Sequence, residues 1–136
     1  MRKTLPTGER SLGNTVLVVD DNQAMRQALS RLFKAAGGFE ICGEASNGAE
    51  AIKMVLQHKP GLVVLDLCMP GINGLETARQ LQLMSHPPPI ILYSMNAEEI
   101  VAKDAYESGV SALVSKADGI RTLINKARGI LQQSAA

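Results

Sequence analysis

Two apolar runs in this chain end in aspartate and a third ends in lysine. Val16-Leu17-Val18-Val19 runs straight into Asp20-Asp21, Leu62-Val63-Val64-Leu65 into Asp66, and the segment Val110 to Ser115 into Lys116. Short, uniformly apolar runs read as buried strands. Ionised groups at the ends of such strands mark a site, because a core does not tolerate unpaired charge. Open α/β sheets bind ligands outside the carboxyl ends of their strands. The expectation is an acidic crevice with one cation beside it.

The rest of the chain has the same rhythm. Strands are expected at 15–20, 39–45, 62–66, 90–94 and 111–115. Helices are expected at about 23–36, 47–58, 74–84, 97–107 and 118–131. Asn22 and Asn96 are N-caps, with side chains that accept from the first free amides of a helix, and Asn47 starts the second helix. Met25, Ala28, Leu29, Leu32 and Phe33 form one face of the first helix, and Ile120, Leu123, Ile124, Ala127 and Leu131 one face of the last. Gly37-Gly38, Pro60-Gly61 and Gly109 are breaks, and Pro87-Pro88-Pro89 forces an extended entry into the fourth strand. Strands alternating with helices imply a parallel sheet covered on both faces.

At 136 residues this is one domain by the usual span of about 100–200 residues each. With aromatic content of 3% and no Trp, Leu, Ile, Val, Ala and Met must build the core. A formal net charge of +1 argues against nucleic acid as a direct partner, since phosphate binding needs a basic face. Cys42 and Cys68 form no CxxC pair, and two His without ligand spacing argue against zinc. This usage fits a reducing, cytoplasmic setting. Residues 1–14 are a polar, flexible extension without the apolar stretch of a signal peptide, and 132–136 read as a tail or truncated linker. No apolar run approaches the ~20 residues of a membrane helix.

If strands one and three are neighbours, Asp20, Asp21 and Asp66 converge. They cannot all stay ionised without help: a pKa rises, or a cation binds. Mg²⁺ suits such oxygen ligands, with Asp21 and Asp66 bound directly and Asp20 through water. Asp66 leads into a loop rich in turn residues and is a competent nucleophile toward a phosphoryl group. Lys116 and the Ser94 hydroxyl are placed to take phosphoryl oxygens, with backbone amides completing the cradle. Arg26, Arg31 and Lys34 read as a solvated face of the first helix.

Taken in order, Asp20-Asp21, Asp66 within Leu65-Asp66-Leu67-Cys68-Met69-Pro70-Gly71-Ile72-Asn73-Gly74, Ser94 and Lys116 resemble the receiver domain of two-component response regulators. The likeness covers residues 15–131. Lys116 followed by Ala117-Asp118 resembles the branch whose full-length members carry a LuxR-type helix-turn-helix. Too few residues follow 131 for such a domain, so the chain is either a stand-alone receiver or a fragment. The resemblance implies a flavodoxin-like (CheY-like), three-layer, doubly wound fold with five parallel strands in the order 2-1-3-4-5 and five helices. It implies Mg²⁺ held by Asp20, Asp21, Asp66 and the backbone carbonyl of Cys68, and phosphoryl transfer from a sensor histidine kinase to Asp66. The chain then catalyses only its own phosphorylation and slow dephosphorylation.

The resemblance further implies a switch through Ser94 and position 113, which repacks the surface of helix four, strand five and helix five. Position 113 is often aromatic in the family and is Leu113 here. Tyr93, beside Ser94, belongs to the core or a helix contact by strand alternation. Cys68 and Met95 occupy positions that tune hydrolysis of the phosphoaspartate. A homodimer on phosphorylation is a further implied partner, with DNA reached only through an absent output domain.

Other readings fare worse. A dehalogenase-type phosphatase needs an Asp two positions after its nucleophile, where Cys68 stands. A nucleotide-binding module needs a glycine-rich loop after strand one, where Asp20-Asp21-Asn22 stand. A degenerate receiver that binds proteins without phosphorylation is the remaining alternative, kept open by Leu113.

Overall fold

In this computed structural model, residues 13–67, 69, 71–95 and 102–135 are described. Five parallel strands form one sheet in the order β2-β1-β3-β4-β5. They are β1 (Thr15–Val19), β2 (Glu40–Ala45), β3 (Leu62–Leu65), β4 (Ile90–Ser94) and β5 (Ala112–Ser115). The helices are α1 (Gln23–Ala36), α2 (Gly48–His58), α3 (Gly74–Gln82), α4 (Ala102–Glu107) and α5 (Ile120–Ala135). The architecture is the flavodoxin-like one expected.

Period-2 alternation divides the apolar residues between the two faces. Val16, Val18, Val64, Ile91, Tyr93 and Val114 pack with Leu29 and Phe33 of α1 and Leu123, Ile124 and Ala127 of α5. Leu17, Val19, Val63, Leu65, Ile90 and Leu92 pack with Ala51 and Val55 of α2 and Ala78 and Leu81 of α3. Burial on both faces explains why the central strands read as continuous apolar runs.

Asn22 caps α1 as expected; Asn47, expected to start the second helix, stands one residue before α2 as its cap, and Asn73 caps α3 in the same way, each accepting from an amide of the first turn. The expected cap Asn96 and the start of the helix placed at 97–107 lie outside the described residues; α4 is described from Ala102. Two helices depart from expectation. A 3₁₀ turn over Lys116–Asp118 and a left-handed Gly119, φ +89°, delay α5 to Ile120. The helix then runs past residue 131 to Ala135, since no Gly or Pro follows to stop it. Leu32, expected on the apolar face of α1, is 43% exposed: the inward stripe is centred on Leu29 and Phe33, and Leu32 lies at its edge.

Candidate functional site at the carboxyl edge of the sheet

The sheet's own ladder places the acidic residues. The Asp20 amide donates to the Ala45 carbonyl at 3.0 Å, which ties the end of β1 to β2. The Asp66 amide donates to the Val19 carbonyl at 3.0 Å, which ties the end of β3 to β1. Both residues therefore leave the sheet side by side. Asp20, Asp21 and Asp66 each offer a carboxylate oxygen, and these oxygens lie within 4.8 Å of one another. Asp20 and Asp66 are buried and Asp21 is exposed.

Lys116 arrives from β5. Its Nζ lies 3.2 Å from Asp20 Oδ2 and 3.5 Å from Asp66 Oδ1. The ammonium also stands 5.7 Å from the centroid of the Tyr93 ring, within cation–π range. Tyr93 lies in the core on the α1/α5 side, as strand alternation requires. Asp20 is held from a second direction by the Asn22 amide, which donates to Oδ1 at 2.9 Å.

The electrostatics follow from this crowding. Burial pushes the Asp66 carboxyl up, the nearby Lys116 ammonium opposes that, and the carboxylates of Asp20 and Asp21 push the same way as burial. One lysine does not balance three carboxylates. The donor set is hard oxygen at close spacing, with one member open to solvent, and it fits a small divalent cation that keeps several of its waters. Asp20, engaged through both oxygens, is the member least free to ligate directly.

Ser94 ends β4, is buried, and pairs in register with Ser115. Met95, the next residue, is 68% exposed. Leu113 is partly buried and packs on the α2/α3 side, opposite Tyr93. Cys68, expected to contribute its carbonyl and to tune hydrolysis, lies outside the described residues. The loop after Asp66 closes back on it: the Gly74 amide donates to the Leu67 carbonyl at 2.8 Å. A Cβ on Gly74 would collide with the Asp66 carbonyl oxygen and stand 2.8 Å from Leu67 Cα. Gly71, at φ +79°, supplies the left-handed turn within that loop.

Arg26 departs from the expectation of a solvated α1 face. Its Nη1 donates to the Asp20 carbonyl at 2.8 Å and its Nε to Glu44 Oε1 of β2 at 3.1 Å. Ser30, one turn on and buried, donates to Glu44 Oε2 at 3.0 Å. The Arg26 side chain is only 15% exposed. The available signal was the i, i+4 spacing of Arg26 and Ser30 beside the Leu29 stripe, facing a strand that carries Glu44.

The response regulator receiver domain model matches residues 16–128. The chain belongs to this family. The receiver is 31% identical over 118 residues to the virulence factors putative positive transcription regulator BvgA of Bordetella pertussis, covering 87% of this chain. It spans 56% of that relative's length. A LuxR-family DNA-binding response regulator from Staphylococcus aureus superposes with a TM-score of 0.79 at 27% identity, over 87% of this chain and 98% of that one. The response regulator TrrA of Thermotoga maritima, solved with Mg²⁺-BeF, superposes with a TM-score of 0.73 at 30% identity, over 86% of this chain and 98% of that one. The receiver is thus a signalling domain of two-component systems, with LuxR-type transcription regulators among its relatives. Among its described residues no helix is long and apolar enough to cross a membrane.

Proposed function

We propose that this receiver accepts a phosphoryl group on Asp66 from the phosphohistidine of a sensor histidine kinase, in a reaction that requires Mg²⁺. The observation that carries this reading is the convergence of Asp20, Asp21 and Asp66 with Lys116 at the carboxyl edge of the sheet, the Lys116 Nζ standing 3.5 Å from Asp66 Oδ1. An Asp66 oxygen attacks phosphorus, the P–N bond to imidazole breaks, and the leaving nitrogen takes up a proton. The kinase is left with a neutral histidine and Asp66 with an acyl phosphate. Asp20, through water, with Asp21, Asp66 and the Cys68 carbonyl would hold Mg²⁺, which when bound would supply charge neutralisation at the phosphoryl oxygens.

The chain's own residues do the rest. Lys116 follows the charge from the Asp66 carboxylate to a phosphoryl oxygen, a short move for a flexible point charge. Ser94 donates its hydroxyl to another oxygen. Ser94 and Leu113 form the switch that repacks the surface of α4, β5 and α5. Met95, exposed at the end of β4, and Cys68 tune hydrolysis, and the bulk of Met95 slows it. The functional unit is residues 15–131, which acts in the cytoplasm and catalyses only its own phosphorylation and slow dephosphorylation. Phosphorylation favours a homodimer, and DNA is reached through an output domain, as the LuxR-family relatives suggest.

Intact-protein mass after incubation with acetyl phosphate tests this. The expected result is one Mg²⁺-dependent phosphoryl adduct on the wild type and none on Asp66→Asn. No adduct on the wild type would refute the reading in favour of a binding module that keeps the pocket without the chemistry.

A further inference from the structure

We propose that Arg26 is a positioning residue for the acidic pocket: it pins the peptide joining Asp20 to Asp21 and so holds both carboxylates in place for the divalent cation. The inference rests on the reading of that pocket as a cation site.

The three carboxylates are not equally supported. Asp20 is fixed by the Asn22 amide and by Lys116, and Asp66 by Lys116 and the loop that Gly74 closes. Asp21 is exposed and projects from the turn between β1 and α1. Its place depends on the backbone that carries it. The Asp20 carbonyl belongs to the same peptide as the Asp21 amide, and Arg26 Nη1 donates to that carbonyl at 2.8 Å. Arg26 is held in turn. Its Nε is paired to Glu44 at 3.1 Å, and the buried Ser30 hydroxyl, 3.0 Å from Glu44 Oε2, fixes the other carboxylate oxygen. The chain of contacts runs from β2 through α1 to the turn that presents Asp21. A planar guanidinium spans two acceptors at fixed angles, which a lysine does not.

The alternative role for an arginine here is charge damping: a cation near three carboxylates weakens their repulsion. The two roles predict opposite signs. A damping arginine competes with the metal, so neutralising it tightens cation binding. A positioning arginine supports the ligands, so any change of its geometry weakens binding, and residues that orient metal ligands from behind are typically worth about 10–100-fold in affinity. Glu44 already balances the guanidinium, which leaves little net charge to damp with.

Calorimetric titration of the unphosphorylated protein with Mg²⁺ alone, after a thermal melt confirms folding, separates the two. Arg26→Lys and Arg26→Gln are both expected to weaken binding about tenfold, at the lower end of that range. Ser30→Ala, which alters no charge, is expected to weaken it less. An unchanged Kd in Arg26→Lys, or a tighter one in Arg26→Gln, overturns the proposal. If Arg26→Gln fails to fold, unchanged affinities in Arg26→Lys and Ser30→Ala overturn it equally. A wild type that takes up no Mg²⁺ removes the pocket reading, and this inference falls with it.

Discussion

The two ends of the sheet handle charge in opposite ways. At the amino end, Arg128 of α5 donates to the Ala36 carbonyl at 2.8 Å and lies 4.9 Å over the Phe39 ring. Phe39 meets Phe33 edge to face at 5.0 Å, and Asn14 Nδ2 donates to the Gly38 carbonyl at 3.1 Å. The Gly61 amide is shared between the carbonyl and hydroxyl oxygens of Thr15. Every one of these contacts is satisfied within the chain. At the carboxyl end three carboxylates crowd one ammonium, and burial together with the Asp20 and Asp21 charges pushes the Asp66 carboxyl up from its ordinary value against the opposing pull of Lys116. The same fold is closed at one end and electrostatically strained at the other. A carboxyl perturbed by burial together with specific charged neighbours is a candidate for function rather than for support.

Substitutions at the closed end should cost stability and leave the pocket alone. Phe33 is fully buried, so Phe33→Ala should cost about 3–5 kcal/mol by chemical denaturation, with Mg²⁺ affinity of the folded protein unchanged. A loss of affinity in that variant would break the separation between the ends. Gly74→Ala tests the opposite end. A Cβ there meets the Asp66 carbonyl, so the loop must shift, at about 1–3 kcal/mol, and phosphoryl uptake from acetyl phosphate should fall with it. Uptake at the wild-type rate would show that the loop does not position Asp66. Arg128→Met removes a cation–π contact and one hydrogen bond, and should cost about 1 kcal/mol in a melt while phosphoryl uptake is preserved.

The sequence made the fold readable because its information is local and consistent. Each central strand is a continuous apolar run, each break is Gly or Pro, and the caps of α1 and α2 are asparagines one residue before the helix. Part of the geometry was readable for a related reason: Asp20, Asp66 and Lys116 each end or follow a strand, so strand order alone brings their charged groups together. What stayed hidden depends on contacts between elements. Helix periodicity shows that Arg26 lies beside the inward stripe, but not that the neighbouring strand brings Glu44 to meet it. The turn residues around Gly74 announce a loop, but not that the loop folds back onto the Asp66 carbonyl. The late start of α5 follows from the Ser115 hydroxyl, which accepts from the Ala117 amide and caps a short 3₁₀ turn before Gly119.

The smallest expected effect comes from charge repulsion at the carboxyl edge of the sheet, where a bound cation would relieve the crowding of Asp20, Asp21 and Asp66. Because Asp66 titrates above its usual value of 3.8, the folded state keeps its proton longer than the unfolded chain does, and stability is lost as pH rises through that window. Removing the charge should therefore help. The measurement is the melting temperature of wild type and Asp66→Asn, with and without Mg²⁺, at neutral pH and again below pH 3.8. Metal-free Asp66→Asn is expected to melt a little higher than wild type at neutral pH, to lose this advantage in acid, and to gain far less from Mg²⁺ than the wild type does. A variant that melts lower than wild type at neutral pH without metal, together with a wild type indifferent to Mg²⁺, would contradict this expectation.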